Sequence, residues 1–160
     1  MATELFTPAS LGWPDALLRV GLSIALALMI GIERFVRRKP VDFRPFVVIS
    51  LASCGLVLGL LELGARTHFA ALSIDPGKVI SGVMSGIGFL GAGALFREKH
   101  IVQGAGSAAA IWAAGAIGIL CGLGVLWLAG LVALGIVVLF LASSRLTDRY
   151  QAELDSGDQP

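Results

Sequence analysis

The side chains that could do chemistry are few in this chain and lie far apart. Its 160 residues include 12 lysines and arginines, 11 aspartates and glutamates, and two histidines. His68 and His100 fall in loops on opposite sides of the predicted helices, so they cannot share a metal ion. No nucleophile–base pair and no group of metal ligands assembles on one side, as catalysis or metal binding would require. The sequence therefore predicts no enzyme, no cofactor and no metal site.

Arg19 is the charged residue deepest within an apolar segment. It follows Trp13 by six residues, which is roughly 9 Å at ~1.5 Å per helical residue. A charge at membrane depth is a candidate for function and needs a partner. One interpretation is an intramembrane ion pair between Arg19 and Glu62, with Asp75 as another partner on the same side. The other, equally favoured, extends Arg19 outward to the lipid headgroups.

Glu33 and Arg34 end the first apolar segment, and Arg44 follows across a short basic loop. In one interpretation Glu33 pairs with Arg44 or holds the end of the helix. In the other, these residues form a plain solvated pair. The sequence leaves both open.

The composition places most of the chain in lipid rather than in water. Hydrophobic residues make up 56% of it and charged residues 14%, whereas soluble proteins have about 25% charged residues. So few charges cannot cover a soluble core, which excludes an ordinary cytosolic enzyme, and the apolar content excludes disorder. A net charge of +1 without a basic stripe gives no reason to expect nucleic acid. The predicted partner is the lipid bilayer.

Continuous apolar runs predict an all-α, polytopic bundle of five transmembrane helices, because a membrane barrel would alternate apolar and polar residues. The 44 residues from Ile101 to Ser144 contain no acid, base or histidine. As one helix they would be ~66 Å long, about twice a ~30 Å hydrocarbon core. They must therefore turn once, and the glycines within residues 121–124 mark the place. The predicted helices span about 13–32, 46–63, 79–96, 105–121 and 125–143.

The basic residues predict the orientation of the bundle. Nine of the twelve lysines and arginines fall in the loop 33–45, the loop 97–104 and the segment after residue 144. The positive-inside rule places these on the cytoplasmic side. Residues 1–12 then form an extracytoplasmic N-terminal segment, 13–144 the five-helix transmembrane domain, and 145–160 a short cytoplasmic tail.

The third predicted helix contains Gly86–Gly91, which spells the G-x-G-x-x-G of dinucleotide sites. We reject a nucleotide, because the true motif follows a strand and has an acid about 20 residues later, where this chain has Ile111. Small residues at helical spacing instead predict a packing face that another backbone approaches closely, with helix three as the buried centre. This face consists of Ser81, Gly82, Ser85, Gly86, Gly88, Gly91 and Gly93.

An alternative for these glycines is that they break the helix and expose carbonyls, as in transporters. No acid or histidine lies near the middle of any span, which disfavours direct cation transport by a monomer. A water-filled pore lined by backbone carbonyls is not excluded by this argument. Gly55-x-x-x-Gly59 and Gly118-x-x-x-Gly122 predict similar small faces on helices two and four.

Several segments resemble the signatures of one family of membrane proteins. Residues 31–34 read G-I-E-R and resemble its G-x-E-R. Asp75-Pro76 and the G-I-G-F-L-G-A-G of residues 86–93 resemble its next motif, and residues 104–118 resemble its fourth-helix segment. In order and spacing over about 31–124, the chain resembles the MgtC/SapB family.

Some positions depart from the family pattern. Residues 41–45 keep only the arginine, Arg44, of the family's A-G-L-R-T, and Lys78 stands where an arginine is expected. Gly106 and Ser107 stand at about the threonines of the fourth-helix motif. Many members also have a cytoplasmic C-terminal domain, for which this chain has no room. The resemblance therefore predicts the N-terminal transmembrane domain only, and whether another chain supplies the rest stays open.

The resemblance implies a multi-pass protein of the bacterial inner membrane. It implies a non-enzymatic regulator in magnesium or ion homeostasis and stress adaptation, which acts on other membrane proteins such as the proton-driven ATP synthase. The alternative is a small transporter or channel, as a homo-oligomer, for Mg²⁺ or another solute. By transfer from the family motifs, the functional charged candidates are Glu33, Arg34, Arg44 and Asp75.

Overall fold

A computed structural model describes residues 7–37, 42–67, 75–98 and 101–157, and confirms the predicted all-helical architecture. These described residues form five helices and one short antiparallel hairpin between the third and fourth helices. The helices are α1 (Trp13–Val36), α2 (Arg44–Thr67), α3 (Pro76–Gly93), α4 (Ala105–Leu123) and α5 (Leu126–Gly157). The hairpin strands are β1 (Phe96–Glu98) and β2 (Ile101–Gln103), in a register that pairs Phe96 with Gln103.

The helices begin close to the predicted positions but most of them end later. α1 starts at Trp13 as predicted, with a proline in its first turn, and runs to Val36 instead of 32. α5 continues to Gly157, fourteen residues beyond the predicted 143. A helix continues where its backbone hydrogen bonds can continue, whereas the prediction ended each span near the end of its apolar run. The segment 145–157 is therefore helical.

Among the residues that the structure describes, four helices are long and apolar enough to cross a membrane: α1, α2, α4 and residues 126–143 of α5. The fifth predicted span, α3, does not belong to this set. It has 18 residues, six of which are glycine. Glycine contributes little hydropathy and Lys78 lowers the mean further, so the mean hydropathy of α3 stays below that of the four spans.

The buried centre of the bundle is α4, and the prediction that it is helix three is wrong. In α4, 56% of the apolar span is buried, whereas the other three candidate spans have 11–28% buried. Glycines on α4 allow this, because Gly118 and Gly122 lie directly against α2. A Cβ on Gly118 would overlap the carbonyl oxygen of Ser50, and one on Gly122 would lie 2.9 Å from the Cys54 oxygen. The small face predicted on the fourth helix is thus its contact with α2.

α3 packs on α4 by one side only. Its buried residues are Ile87 and Gly91, and a Cβ on Gly91 would lie 3.3 Å from the Ala108 carbonyl oxygen of α4. The connection between α3 and α4 is also tight. Gly104, with φ of 88°, precedes α4, and a Cβ there would overlap the carbonyl oxygen of Ala94. The hairpin therefore holds the end of α3 beside the start of α4.

Candidate functional site

Glu33 and Arg34 are buried charged residues at the end of α1. They are 9% and 8% exposed. The carboxylate Oε1 of Glu33 lies 2.7 Å from Nε of Arg37, one turn later, and its Oε2 lies 3.9 Å from Nη1 of Arg34. The solvated-pair interpretation is therefore wrong for both residues. Glu33 has its close ionic contact with Arg37.

Arg34 joins three helices. Its guanidinium carbon lies 4.3 Å from the ring centroid of Phe140 on α5, in cation–π geometry. Its Nη2 lies 3.1 Å from the position that a Cβ on Gly106 would take, in the first turn of α4. Glycine at position 106 therefore lets the guanidinium lie against the α4 backbone.

The glycine at position 31, two residues before this charged pair, is needed because Phe43 lies very close to it. A Cβ at Gly31 would lie 3.0 Å from Cβ of Phe43 and 3.1 Å from its backbone. The end of α1 thus closely approaches the residue before α2. Phe43 also packs edge-on against Phe35, with ring centroids 5.8 Å apart. The G-I-E-R segment combines a close helix approach with two buried charges.

Ser107 is a buried polar residue in the first turn of α4 that the sequence analysis did not select. It is fully buried. Among the residues that the structure describes, neither its Oγ nor Nε of Arg34 has a hydrogen-bond partner. No side chain caps the turn, since Gly104 occupies the N-cap. The one sequence signal was that Gly106 and Ser107 stand at about the threonines of the family motif.

Arg44 does not belong to this cluster. Its side chain is 78% exposed, and its Nε lies 3.0 Å from Oδ2 of Asp42. The predicted pair between Glu33 and Arg44 is therefore wrong. Asp42 is two residues away in the same connection, so it offers Arg44 a nearer partner.

Asp75 lies at the opposite end of the bundle from Glu33 and Arg34. It is the N-cap of α3, where its Oδ1 accepts a hydrogen bond of 2.8 Å from the backbone N–H of Gly77. Pro76 follows at the first helical position, where its lack of an N–H costs nothing. The Asp-Pro motif therefore has a local role, which is to start α3.

The predicted ion pair between Arg19 and Glu62 is wrong, because each has a different partner. Arg19 does not extend to the headgroups; its Nη1 donates a hydrogen bond of 2.7 Å to the Gly122 carbonyl oxygen, near the end of α4. The C-terminus of a helix carries partial negative charge, so a guanidinium is favoured there. Gly124, with φ of 81°, ends this helix, and a Cβ on it would lie 2.7 Å from Nη2 of Arg19.

Glu62 instead holds the N-terminal segment against α2. Its Oε1 lies 2.7 Å from Nη2 of Arg66, one turn later. Its carboxylate also accepts hydrogen bonds from the backbone N–H groups of Ala9, at 2.8 Å, and Ser10, at 3.0 Å. Glu62 and Arg66 line an open groove of about 350 Å³ beside Trp13.

The small residues of α3 lie mostly on its exposed side. Of the seven that were predicted to pack, only Gly91 is buried. A Cβ on any of the other four glycines would meet nothing within 4 Å, and both serines are exposed. The exposed small residues are Ser81, Gly82, Ser85, Gly86, Gly88 and Gly93, and we call them the α3 small face. Their role in helix packing stays a prediction.

We searched the described part of the chain for a possible metal centre. Residues 7–37, 42–67, 75–98 and 101–157 contain no group of three or more histidine, cysteine, aspartate or glutamate residues that could hold a metal ion.

The comparison with known families decides where the chain belongs. The model of the MgtC family matches residues 20–149. The chain belongs to the MgtC family. The matched range contains the buried pair Glu33–Arg34, Ser107 and the α3 small face. The apolar helices and the family together make the chain a membrane protein.

Relatives of this MgtC-family chain occur in several bacteria. The SapB protein of Bacillus subtilis is 32% identical over 115 residues, which cover 69% of this chain and 49% of that protein. The MgtC protein of Salmonella typhimurium is 32% identical over 102 residues, covering 64% and 41%. An uncharacterized protein of Haemophilus influenzae is 35% identical over 156 residues, covering 94% and 62%. The chain thus spans about half the length of these relatives. No solved structure matches it.

Proposed function

We propose that this MgtC-family chain is a non-enzymatic regulator in the bacterial inner membrane, in magnesium or ion homeostasis and stress adaptation. It acts by contact with other membrane proteins, and the family resemblance points to machinery such as the proton-driven ATP synthase. The observation that carries the proposal is the α3 small face, which the rest of the described chain leaves uncovered.

The contrast between α3 and α5 supports a protein partner for this face. The exposed side of α5 carries bulky apolar residues such as Leu131, Leu134 and Leu139, which suit contact with lipid tails. The exposed side of α3 also carries two bulky residues, Phe89 and Leu90, but six of its exposed residues are the four glycines and two serines of the α3 small face. Because lipid supplies little hydrophobic drive between helices, membrane helices associate by close packing of small residues and by hydroxyl hydrogen bonds. The α3 small face fits such a contact.

Substitution of a glycine on the α3 small face tests this proposal. Gly86→Leu adds a side chain where a Cβ meets nothing within 4 Å, so the chain itself should fold normally. The bulky leucine should keep a partner helix away, and we expect partner recovery to fall by about tenfold or more, since a lost helix contact of 1.4 kcal/mol already gives that factor. The measurement is quantitative identification of proteins that co-purify in mild detergent.

Gly135→Leu is the matched control, because Gly135 is an equally open glycine on α5. It should leave partner recovery unchanged. An unaltered set of partners with folded Gly86→Leu would contradict the proposal. So would Mg²⁺ flux into liposomes that contain only the purified chain, since that result would favour the transporter alternative.

A further inference from the structure

The ionic cluster at the end of α1 has two guanidinium groups, those of Arg34 and the partly exposed Arg37, and one carboxylate, that of Glu33. Glu33 is its one buried carboxylate within the described residues, and Arg37 lies 2.7 Å from it. Arg34 is left with a distant ionic contact of 3.9 Å to Glu33. An arginine stays protonated in proteins, so it cannot remove its charge by losing a proton. A buried charge of this kind requires a counter-charge.

The start of α4 adds to the positive potential. Arg34 lies against Gly106, and the N-terminus of a helix carries partial positive charge. The first backbone N–H groups of a helix have no partner within the helix, and no side chain caps this turn. A guanidinium at such a position is unfavourable unless a negative charge lies close to both.

Two hydrogen-bond donors at this place lack partners within the described part of the chain. They are Nε of Arg34 and the hydroxyl of Ser107. Arg34 is more than nine-tenths buried and Ser107 is completely buried. Both carboxylate oxygens of Glu33 also lack a hydrogen-bond partner among the described residues. Buried polar groups are normally satisfied, so these donors and acceptors together indicate a polar ligand that has acceptor oxygens and also hydroxyl groups that can donate to Glu33.

We propose that Arg34, Ser107 and the first turn of α4 form a binding site for a phosphate-type oxyanion. The guanidinium supplies charge and directed N–H donors, the hydroxyl supplies one hydrogen bond, and the α4 N–H groups supply the rest. The oxyanion is either free inorganic phosphate or the headgroup of an anionic lipid, since both present the same oxygens.

The test measures the thermal unfolding midpoint of the purified full chain with each source. Inorganic phosphate is titrated in an uncharged detergent, against chloride at matched ionic strength. Separately, lipid nanodiscs containing phosphatidylglycerol are compared with nanodiscs of phosphatidylcholine alone. We expect a saturable rise of the midpoint, because a ligand that binds only the folded state stabilises it. A rise with phosphate identifies the free anion, and a rise with phosphatidylglycerol alone identifies the headgroup.

Two variants assign the effect to this site. Ser107→Ala removes the unpaired hydroxyl and should weaken the apparent affinity by about tenfold, without lowering the midpoint in anion-free buffer. Arg34→Gln should abolish the rise. Ser50→Ala is the control, since Ser50 is a buried serine whose hydroxyl donates to the Ser23 carbonyl oxygen at 3.0 Å. It should lower the anion-free midpoint and keep the affinity.

The outcomes separate binding from a structural role. If Arg34→Gln does not fold, Ser107→Ala decides alone. No rise with either source would overturn the proposal. An equal rise in wild type and Ser107→Ala would overturn it too, because the anion would then bind elsewhere.

Discussion

At the residue scale, the charged side chains of this chain find partners that sequence spacing does not show. Arg19 and Glu62 have suitable charges, and the prediction paired them. The structure gives Arg19 a backbone carbonyl at the end of α4 and gives Glu62 two backbone N–H groups of the N-terminal segment. Backbone groups are present at every position, so sequence cannot indicate which of them a side chain will meet. The buried state of Glu33 and Arg34 was likewise left open.

Arg19 should stabilise the fold through its contact with α4. Arg19→Met removes the hydrogen bond to Gly122 and leaves that carbonyl oxygen without its charged donor. We expect a loss of about 1.5–3 kcal/mol, the usual value for hydrogen bonds to charged groups. The measurement is equilibrium unfolding in mixed micelles. Arg44→Met is the control, because Arg44 is mostly exposed; an effect as large as that of Arg19→Met would contradict this account.

At the element scale, the apolar runs predicted all five helices, and the glycines predicted close helix contacts. They did not predict which helix is central, because α3 and α4 are both rich in small residues. Which helix is central depends on whether its glycines lie against another helix. Gly118 and Gly122 lie against α2, whereas Gly82 and Gly86 face away from the bundle. The sequence contains the small faces but not their partners.

Gly118 should tolerate no side chain, in contrast to glycines on open faces. Gly118→Ala places a methyl group on the Ser50 carbonyl oxygen, and overpacking of this kind costs about 1–3 kcal/mol or more. Gly55→Ala, on α2 with nothing within 4 Å, should be neutral or slightly stabilising, since alanine favours a helix over glycine. Equal unfolding free energies for the two variants in mixed micelles would contradict the central position of α4.

At the scale of the whole molecule, the described residues offer two regions as candidates for function once the bundle is assembled. One is the buried cluster of Glu33, Arg34 and Ser107 at one end, and the other is the α3 small face along the side. Both lie within the range matched by the MgtC family. The family motifs had already indicated Glu33, Arg34 and the glycines of the α3 small face. Ser107 was missed because an isolated serine in an apolar helix is ordinarily a packing residue, and its burial next to Gly106, which Arg34 contacts, depends on the fold.

Site-specific photo-crosslinking in bacterial membranes tests the central claim most directly. A photoreactive residue is placed at Ser85 on the α3 small face, and for comparison at Leu134 on the exposed side of α5. The proposed contact predicts discrete protein adducts from position 85 and lipid adducts alone from position 134. Lipid adducts alone from both positions would show that α3 faces the bilayer, and would contradict a regulator that acts through this surface.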